Sequence, residues 1–260
     1  MAEDLKRVLI TGASSGIGRA LAIWFAGRGA TVWAAARRLP VLDELAAAGH
    51  GQIVPLELDV SKEQATVDAI QALDDRCGGL DVVIANAGIG DVTPADSSTW
   101  QMVEKVLKVN VSGAAATLTA VLPRMVRRGR GRIAGISSIA ANRGLPNYSC
   151  YSGSKAFLKV FLESLRVDLH GTGVKVVCIE PGFVKTEGSA KVEGIGQMPF
   201  RMDARLAAKK IGEAIVSGKR VLSFPWQHAW ASSAIGLVPA PIFEPLAKIA
   251  RRSSAGPGRK

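Results

Sequence analysis

The 260-residue sequence carries 33 Lys and Arg against 22 Asp and Glu, a formal charge of +11, with 48% hydrophobic and 21% charged residues. That composition excludes a disordered chain and supplies one full core, and the length suits a single domain. No apolar run reaches the roughly 20 residues of a membrane-spanning helix, MAEDLKR is not an apolar leader, and the basic excess lacks the aromatic interleaving of a nucleic-acid binder, so no nucleic-acid partner is expected.

In chain order, predicted strands fall at Arg7–Thr11, Thr31–Ala36, Ile53–Leu58, Val82–Ala85, Arg132–Ser137, Lys175–Ile179 and Arg220–Ser223. Helical patterns lie between them at about Gly16–Arg28, Leu39–Ala48, Lys62–Arg76, Thr99–Arg128, Ser149–His170 and Ala204–Ser217. The strands read as continuous apolar runs, as strands buried on both faces do. The alternation predicts an α/β fold: a single doubly wound domain with a seven-stranded parallel sheet and helices on both faces. Residues 1–223 are the expected nucleotide-binding catalytic domain, and 224–260 an apolar, basic extension that belongs to the same domain or to an interface. Cys77, Cys150 and Cys178 share no paired spacing, and His50, His170 and His228 are scattered, so no metal site is expected. A reducing, cytoplasmic setting follows from the cysteines, with membrane association as a variant of it.

The first strand runs into Gly12-Ala13-Ser14-Ser15-Gly16-Ile17-Gly18, which opens the first helix. Glycines there permit a tight turn and a close backbone approach, and the helix N-terminus offers N–H donors to a pyrophosphate. The same residues fit GxSxG, so a hydrolase with Ser14 as nucleophile is a minor alternative, although no earlier segment is left to supply a second oxyanion donor. The densest basic run, Arg124, Arg127, Arg128, Arg130 and Arg132, sits at a helix-to-strand junction, where cations offset a helix C-terminal dipole.

The sequence has just two tyrosines, Tyr148 and Tyr151, and Tyr151 alone has a lysine, Lys155, four residues on. At that spacing both side chains share one helix face, so the ammonium is expected to lower the phenol pKa and make Tyr151 a general acid and base. Ser138 closes the fifth strand, and the adjacent Ser137 is expected to point to the opposite face.

TGxxxGxG, Asn86-Ala87-Gly88, a serine after the fifth strand, YxxxK and Pro181-Gly182, in this order, resemble the short-chain dehydrogenase/reductase family over about Arg7 to Arg220. The resemblance implies a nicotinamide-dependent oxidoreductase that interconverts a carbonyl and an alcohol, with Asn110, Ser138, Tyr151 and Lys155 as its catalytic set. Ser138 would hold the substrate oxygen, Lys155 would also bind the nicotinamide ribose, and Asn110 would perturb its helix and hold a water leading to Lys155. Cofactor contacts would come from Gly12, Ser14, Ser15, Gly16, Ile17 and Gly18, from Asp59 and Val60 at the adenine, from Asn86, Ala87 and Gly88, and from Pro181, Gly182, Val184 and Thr186. NAD-specific members place an acid at the end of the second strand. Here Ala36 is followed by Arg37 and Arg38, suited to a 2′-phosphate, so NADP(H) is favoured over NAD(H). A sensor or scaffold that binds NADP without turnover is the other reading of the same fold.

Phe183 to Met202 is the expected lid, with Met198, Phe200 and Met202 as flexible apolar cover. With Ile89, Ile139 and Leu145 near the mouth, and Tyr148 lining it, the lid suggests a hydrophobic small-molecule substrate: a ketone, aldehyde, alcohol, 3-oxoacyl, steroid or lipid-like compound. Family members pair through their two long helices, which implies a homodimer or homotetramer. The tail, with Trp226, Trp230, Lys248, Arg251 and Arg252, fits subunit or core packing, with a peripheral lipid contact as the alternative. Pro239, Pro241 and Pro245 are expected to prevent one long helix.

Overall fold

The computed structural model describes residues 5–49, 51–186 and 201–254, without the side chains of 249–254. Strands β1 (Arg7–Thr11), β2 (Thr31–Ala36), β3 (Ile53–Glu57), β4 (Val82–Ala85), β5 (Gly131–Ile136), β6 (Val174–Pro181) and β9 (Val221–Phe224) form one parallel sheet in the order β3-β2-β1-β4-β5-β6-β9. The predicted class and sheet are therefore observed. Strand order reverses between β1 and β4, and the crevice above the carboxyl ends of such strands is where α/β sheets bind ligands.

Period-two alternation divides the core between the sheet's faces. Val8 and Ile10 of β1 pack on one side with Leu21 and Phe25 of α1 (Gly16–Ala26), Leu42 of α2 (Leu39–Ala47), and Ile211 and Ile215 of α8 (Ala204–Ser217). Leu9, between them, packs on the other with Ile70 of α3 (Glu63–Arg76), Leu118 of α5 (Ala114–Thr119), Met125 of α6 (Leu122–Arg128) and Leu158 of α7 (Ser149–Asp168). Each such side chain contributes about 1.5–3 kcal/mol by leaving water.

The helix expected over Thr99–Arg128 is a correction. Helix α4 (Trp100–Leu107) passes through a π-turn at Lys108–Gly113 into α5, and the chain breaks again before α6. Pro123 lies in the first turn of α6, where its missing N–H costs nothing, and the Thr117 hydroxyl donates back to the Gly113 carbonyl at 2.7 Å, competing with the regular ladder. The Trp100–Arg128 run is apolar and long enough to cross a membrane, but 56% of its most apolar window is buried against the fold, as in a core helix.

Three arginines are anchored at the amino-terminal pole of the sheet. Arg7 grips Asp81 through Nε at 3.0 Å and Nη2 at 2.8 Å, and Arg128 reaches Asp74 at 2.7 and 3.1 Å. Arg132 donates to the Ile215 carbonyl at 2.7 Å and to that of Val216, so it caps the carboxyl end of α8. The helix-end role expected of the arginine run holds at this position, although the helix served is not the one that precedes it.

Past β9 the chain forms α9 (Trp226–Leu237) and α10 (Ala240–Ser254). The break falls at Val238–Pro239, so the tail is not one long helix, as expected; Pro241 and Pro245 lie within α10. Met202, expected in the lid, instead belongs to a two-stranded ladder, β7 (Val184–Lys185) with β8 (Met202–Asp203), and packs against the core. Met198, Phe200 and the lid between the two strands lie outside the described residues, as does His50.

Candidate active site

Gly12 and Gly16 take φ of +70° and +57°, the region in which L side chains are strained. Gly18 is required for another reason: a Cβ there would lie 2.4 Å from Asn86 Nδ2 and 2.5 Å from the Gly12 carbonyl oxygen. That space is used by Asn86, whose Nδ2 donates to the carbonyls of Thr11 at 2.8 Å and Gly12 at 3.3 Å. Thr11 Oγ1 in turn accepts from the backbone N–H of Asn86 and Ala87, both at 3.2 Å. The threonine that opens TGxxxGxG thus ties β1 to the end of β4, a contact its spacing alone does not reveal.

At the end of β2, Arg38 Nη2 donates to Ser14 Oγ at 3.0 Å, and both Arg37 and Arg38 are exposed. The two residues assigned to one phosphate thus meet before any ligand is considered. Ser14 faces a guanidinium rather than a base, which leaves it poorly equipped as a nucleophile. Asp59 Oδ1 accepts from Ser61 N at 3.1 Å and Ser61 Oγ at 2.8 Å. Burial opposes its ionisation, but the Ser61 hydrogen bonds and the charges of Arg37 and Lys62 hold the carboxyl below its usual range. Val60 and Val184 bury their side chains in the core, Ile17 packs against it, and Ser15 caps α1 in extended geometry. From Val60 and Val184, therefore, only backbone is left to face a nucleotide.

Tyr151 and Lys155 stand one turn apart on α7, with Lys155 Nζ 5.7 Å from the Tyr151 ring centroid. Lys155 is 5% exposed, and its Nζ donates to the Ile136 carbonyl at 2.8 Å. A Cβ on Gly88 would lie 3.2 Å from that Nζ, and one on Gly90 would lie 3.6 Å from the Tyr151 ring, so glycines keep the space over both groups open. Ser137 points away as expected, donating to the Lys155 carbonyl at 2.8 Å, whereas the Ser138 hydroxyl is close enough to the Tyr151 phenol to favour its ionised form.

The expected depression of the phenol pKa is a correction. Burial pushes Tyr151 up, the Ser138 hydroxyl opposes, and Tyr148 adds to the rise, so the protein's own groups favour the neutral phenol. Burial also pushes Lys155 down to about 8. Desolvation outweighs the cation because Nζ turns toward a strand carbonyl.

Asn110, 1% exposed, sits in the π-turn. Its Oδ1 accepts from Ile89 N at 2.8 Å, and its Nδ2 donates to Ile89 O at 2.9 Å and to Ser154 Oγ at 3.0 Å. The side chain therefore clamps the segment after β4, and Ser154, which no sequence motif announced, completes the clamp. Pro181 O accepts from Ser138 Oγ at 3.5 Å, and Gly182 N donates to Phe224 O at 2.7 Å. Thr186 lies across the turn from Gly16, where a Cβ would come within 3.2 Å of it. His228 packs edge-on to Phe183 at 5.3 Å, a neighbour of the Pro181-Gly182 bend that no motif announced.

The short chain dehydrogenase family model matches residues 6–194, which contain the glycine turn and the Tyr151–Lys155 pair. This chain belongs to the short-chain dehydrogenase/reductase family. It is an oxidoreductase of that family, which removes the hydrolase alternative at Ser14. It is 51% identical to an uncharacterized oxidoreductase of Myxococcus xanthus over 95% of this chain and 99% of the relative. It is 36% identical to a serine 3-dehydrogenase of Agrobacterium fabrum over 69% of this chain and 72% of that protein. Among solved structures it resembles a short-chain dehydrogenase from Sphingobium yanoikuyae in complex with NADPH, at TM-score 0.78 and 26% identity over 98% and 97% of the two chains. It also resembles the closed form of a serine dehydrogenase complexed with NADP+, at TM-score 0.76 and 29% identity over 85% and 95%.

Proposed function

We propose that this short-chain dehydrogenase/reductase uses NADP(H) to interconvert a carbonyl and an alcohol on a hydrophobic small-molecule substrate. The observation that carries the reading is the convergence of the Tyr151 phenol, the Ser138 hydroxyl and the Lys155 ammonium beside Gly88 and Gly90. The turn fits a dinucleotide, because Gly12 and Gly16, at positive φ and without side chains, bring bare backbone to the N-terminus of α1, whose N–H groups suit a pyrophosphate. When bound, the nicotinamide supplies or accepts the hydride.

The residues of the chain do the rest. Ser138 Oγ orients the substrate oxygen, and Tyr151 Oη gives it a proton during reduction or takes one during oxidation. Lys155 stabilises the phenolate that forms, Asn110 holds the Ile89 segment in place, and Arg38 with Ser14 meets the 2′-phosphate. Ile89, Ile139, Leu145 and Tyr148 favour an apolar substrate. Phe157, Val160 and Val167 are exposed along α7, which supports pairing of two copies through this helix. The three free cysteines are consistent with a reducing, cytoplasmic location.

Apolar ketones and aldehydes offered with NADPH or NADH, followed by nicotinamide absorbance, test this reading. NADPH-dependent turnover that falls about 10²-fold or more in Tyr151→Phe is expected. Arg38→Ala should weaken NADPH binding about 10-fold or more and leave NADH binding nearly unchanged. Binding of NADPH without turnover of any carbonyl or alcohol would instead favour the sensor reading.

A further inference from the structure

Helix α9 is built inside out. Its polar stripe faces the protein: Ser232 Oγ donates to the Ile139 carbonyl at 2.6 Å and accepts from Asn142 Nδ2 at 3.0 Å, and a Cβ on Gly236 would lie 3.2 Å from the Asn142 carbonyl oxygen. Its outward stripe, Trp226, Trp230, Ala234 and Leu237, falls on one face at helical spacing, and the three large members are 74%, 72% and 86% exposed. No residue of α9 is buried, so the core packing expected for this segment is not what its tryptophans serve. Ile242 and Leu246 continue the apolar surface along α10 and are also exposed.

We propose that α9 and α10 dock on the surface of an anionic lipid bilayer. Charge selects this occupant over a second copy of the chain. From Trp226 to Ser254 there is one acid, Glu244, against Lys248, Arg251 and Arg252, so two such faces brought together would repel. An anionic surface attracts the same cations while the apolar stripe enters the headgroup boundary, where tryptophan is favoured. The tether matters too. Asn142 Oδ1 accepts from Lys159 Nζ at 2.5 Å, and Lys159 is ion-paired with the buried Glu180 at 2.9 Å, so α9 is fixed to the turn that follows Ser138. On the oxidoreductase reading, the docked face therefore lies beside the crevice mouth and suits substrates that partition into lipid. The docking itself does not depend on that reading.

The test is co-sedimentation of the full-length protein with phosphatidylcholine vesicles, with and without phosphatidylglycerol, at low and high salt. Binding to the anionic vesicles, reduced by salt, is expected. Trp226→Ser combined with Trp230→Ser should weaken it by at least about tenfold, since each indole leaves an apolar contact. Charge reversal by Lys248→Glu, Arg251→Glu and Arg252→Glu should abolish it. Trp226, Trp230 and Lys248 are exposed, and an unchanged thermal melt and unchanged turnover of a water-soluble carbonyl would show that each variant is folded. Equal binding by the wild type and the folded double variant would overturn the proposal. So would absence of vesicle binding together with a self-association, seen by sedimentation velocity, that the double variant loses.

Discussion

Burial acts on both members of the Tyr151–Lys155 pair, and in opposite directions: the phenol is pushed up and the ammonium down to about 8. Tyr148 is also pushed up by burial. The absorbance of the folded, cofactor-free protein should therefore show both tyrosines ionising above pH 10, with Tyr148→Phe isolating the contribution of Tyr151. Addition of NADP+ should shift the Tyr151 transition downward, because a cationic ring favours phenolate. For Lys155 the linkage runs the other way from that of a salt-bridged lysine. Its folded pKa lies below the ordinary 10.5, so the unfolded chain binds more protons between about 8 and 10.5, and stability rises with pH through that window. Below pH 8 the buried charge costs about 3 kcal/mol. Lys155→Met should accordingly melt several degrees higher than wild type at pH 7, with the gap closing toward pH 10, while turnover is lost. A lower melting temperature for the variant would mean that the hydrogen bond to Ile136 outweighs desolvation.

Regular elements were legible where one period governed them. β1, β2 and β4 match their predicted bounds because strands buried on both faces are unbroken apolar runs flanked by polar or turn residues. The Thr99–Arg128 stretch was misread because its apolar spacing survives a π-turn and a break that change only the hydrogen-bond ladder. Pro123 was the available sign of the second. The site was legible as a set of residues but not as a set of contacts. Spacing placed Tyr151 and Lys155 on one face, whereas the turning of Nζ toward Ile136 and the two-bond clamp of Asn110 on Ile89 depend on segments distant in sequence. That clamp predicts that Asn110→Ala, by stranding both polar groups of Ile89, will cost about 2–4 kcal/mol and lower turnover. Urea denaturation and steady-state kinetics on the same preparation check both effects.

At the level of the whole molecule, the sheet has a chemical pole and an electrostatic one. The glycine turn, Ser138 and Tyr151 crowd the carboxyl ends of the strands, while Arg7–Asp81 and Arg128–Asp74 brace the opposite ends. Asp74 is 2% exposed and also accepts from Leu80 N at 2.6 Å. Asp74→Ala should cost about 2–3 kcal/mol in urea denaturation, somewhat less than a fully buried pair because Arg128 can regain water. The kcat and KM of the remaining folded enzyme should be unchanged, since no part of the crevice rests on that bridge. Asn86 has a larger consequence. Bonded to Thr11 and Gly12, it rivets the tips of two neighbouring strands together before a dinucleotide arrives. A floor assembled in advance demands little ordering when the guest settles, so affinity is spent on the guest alone and departure need not wait for the sheet to part.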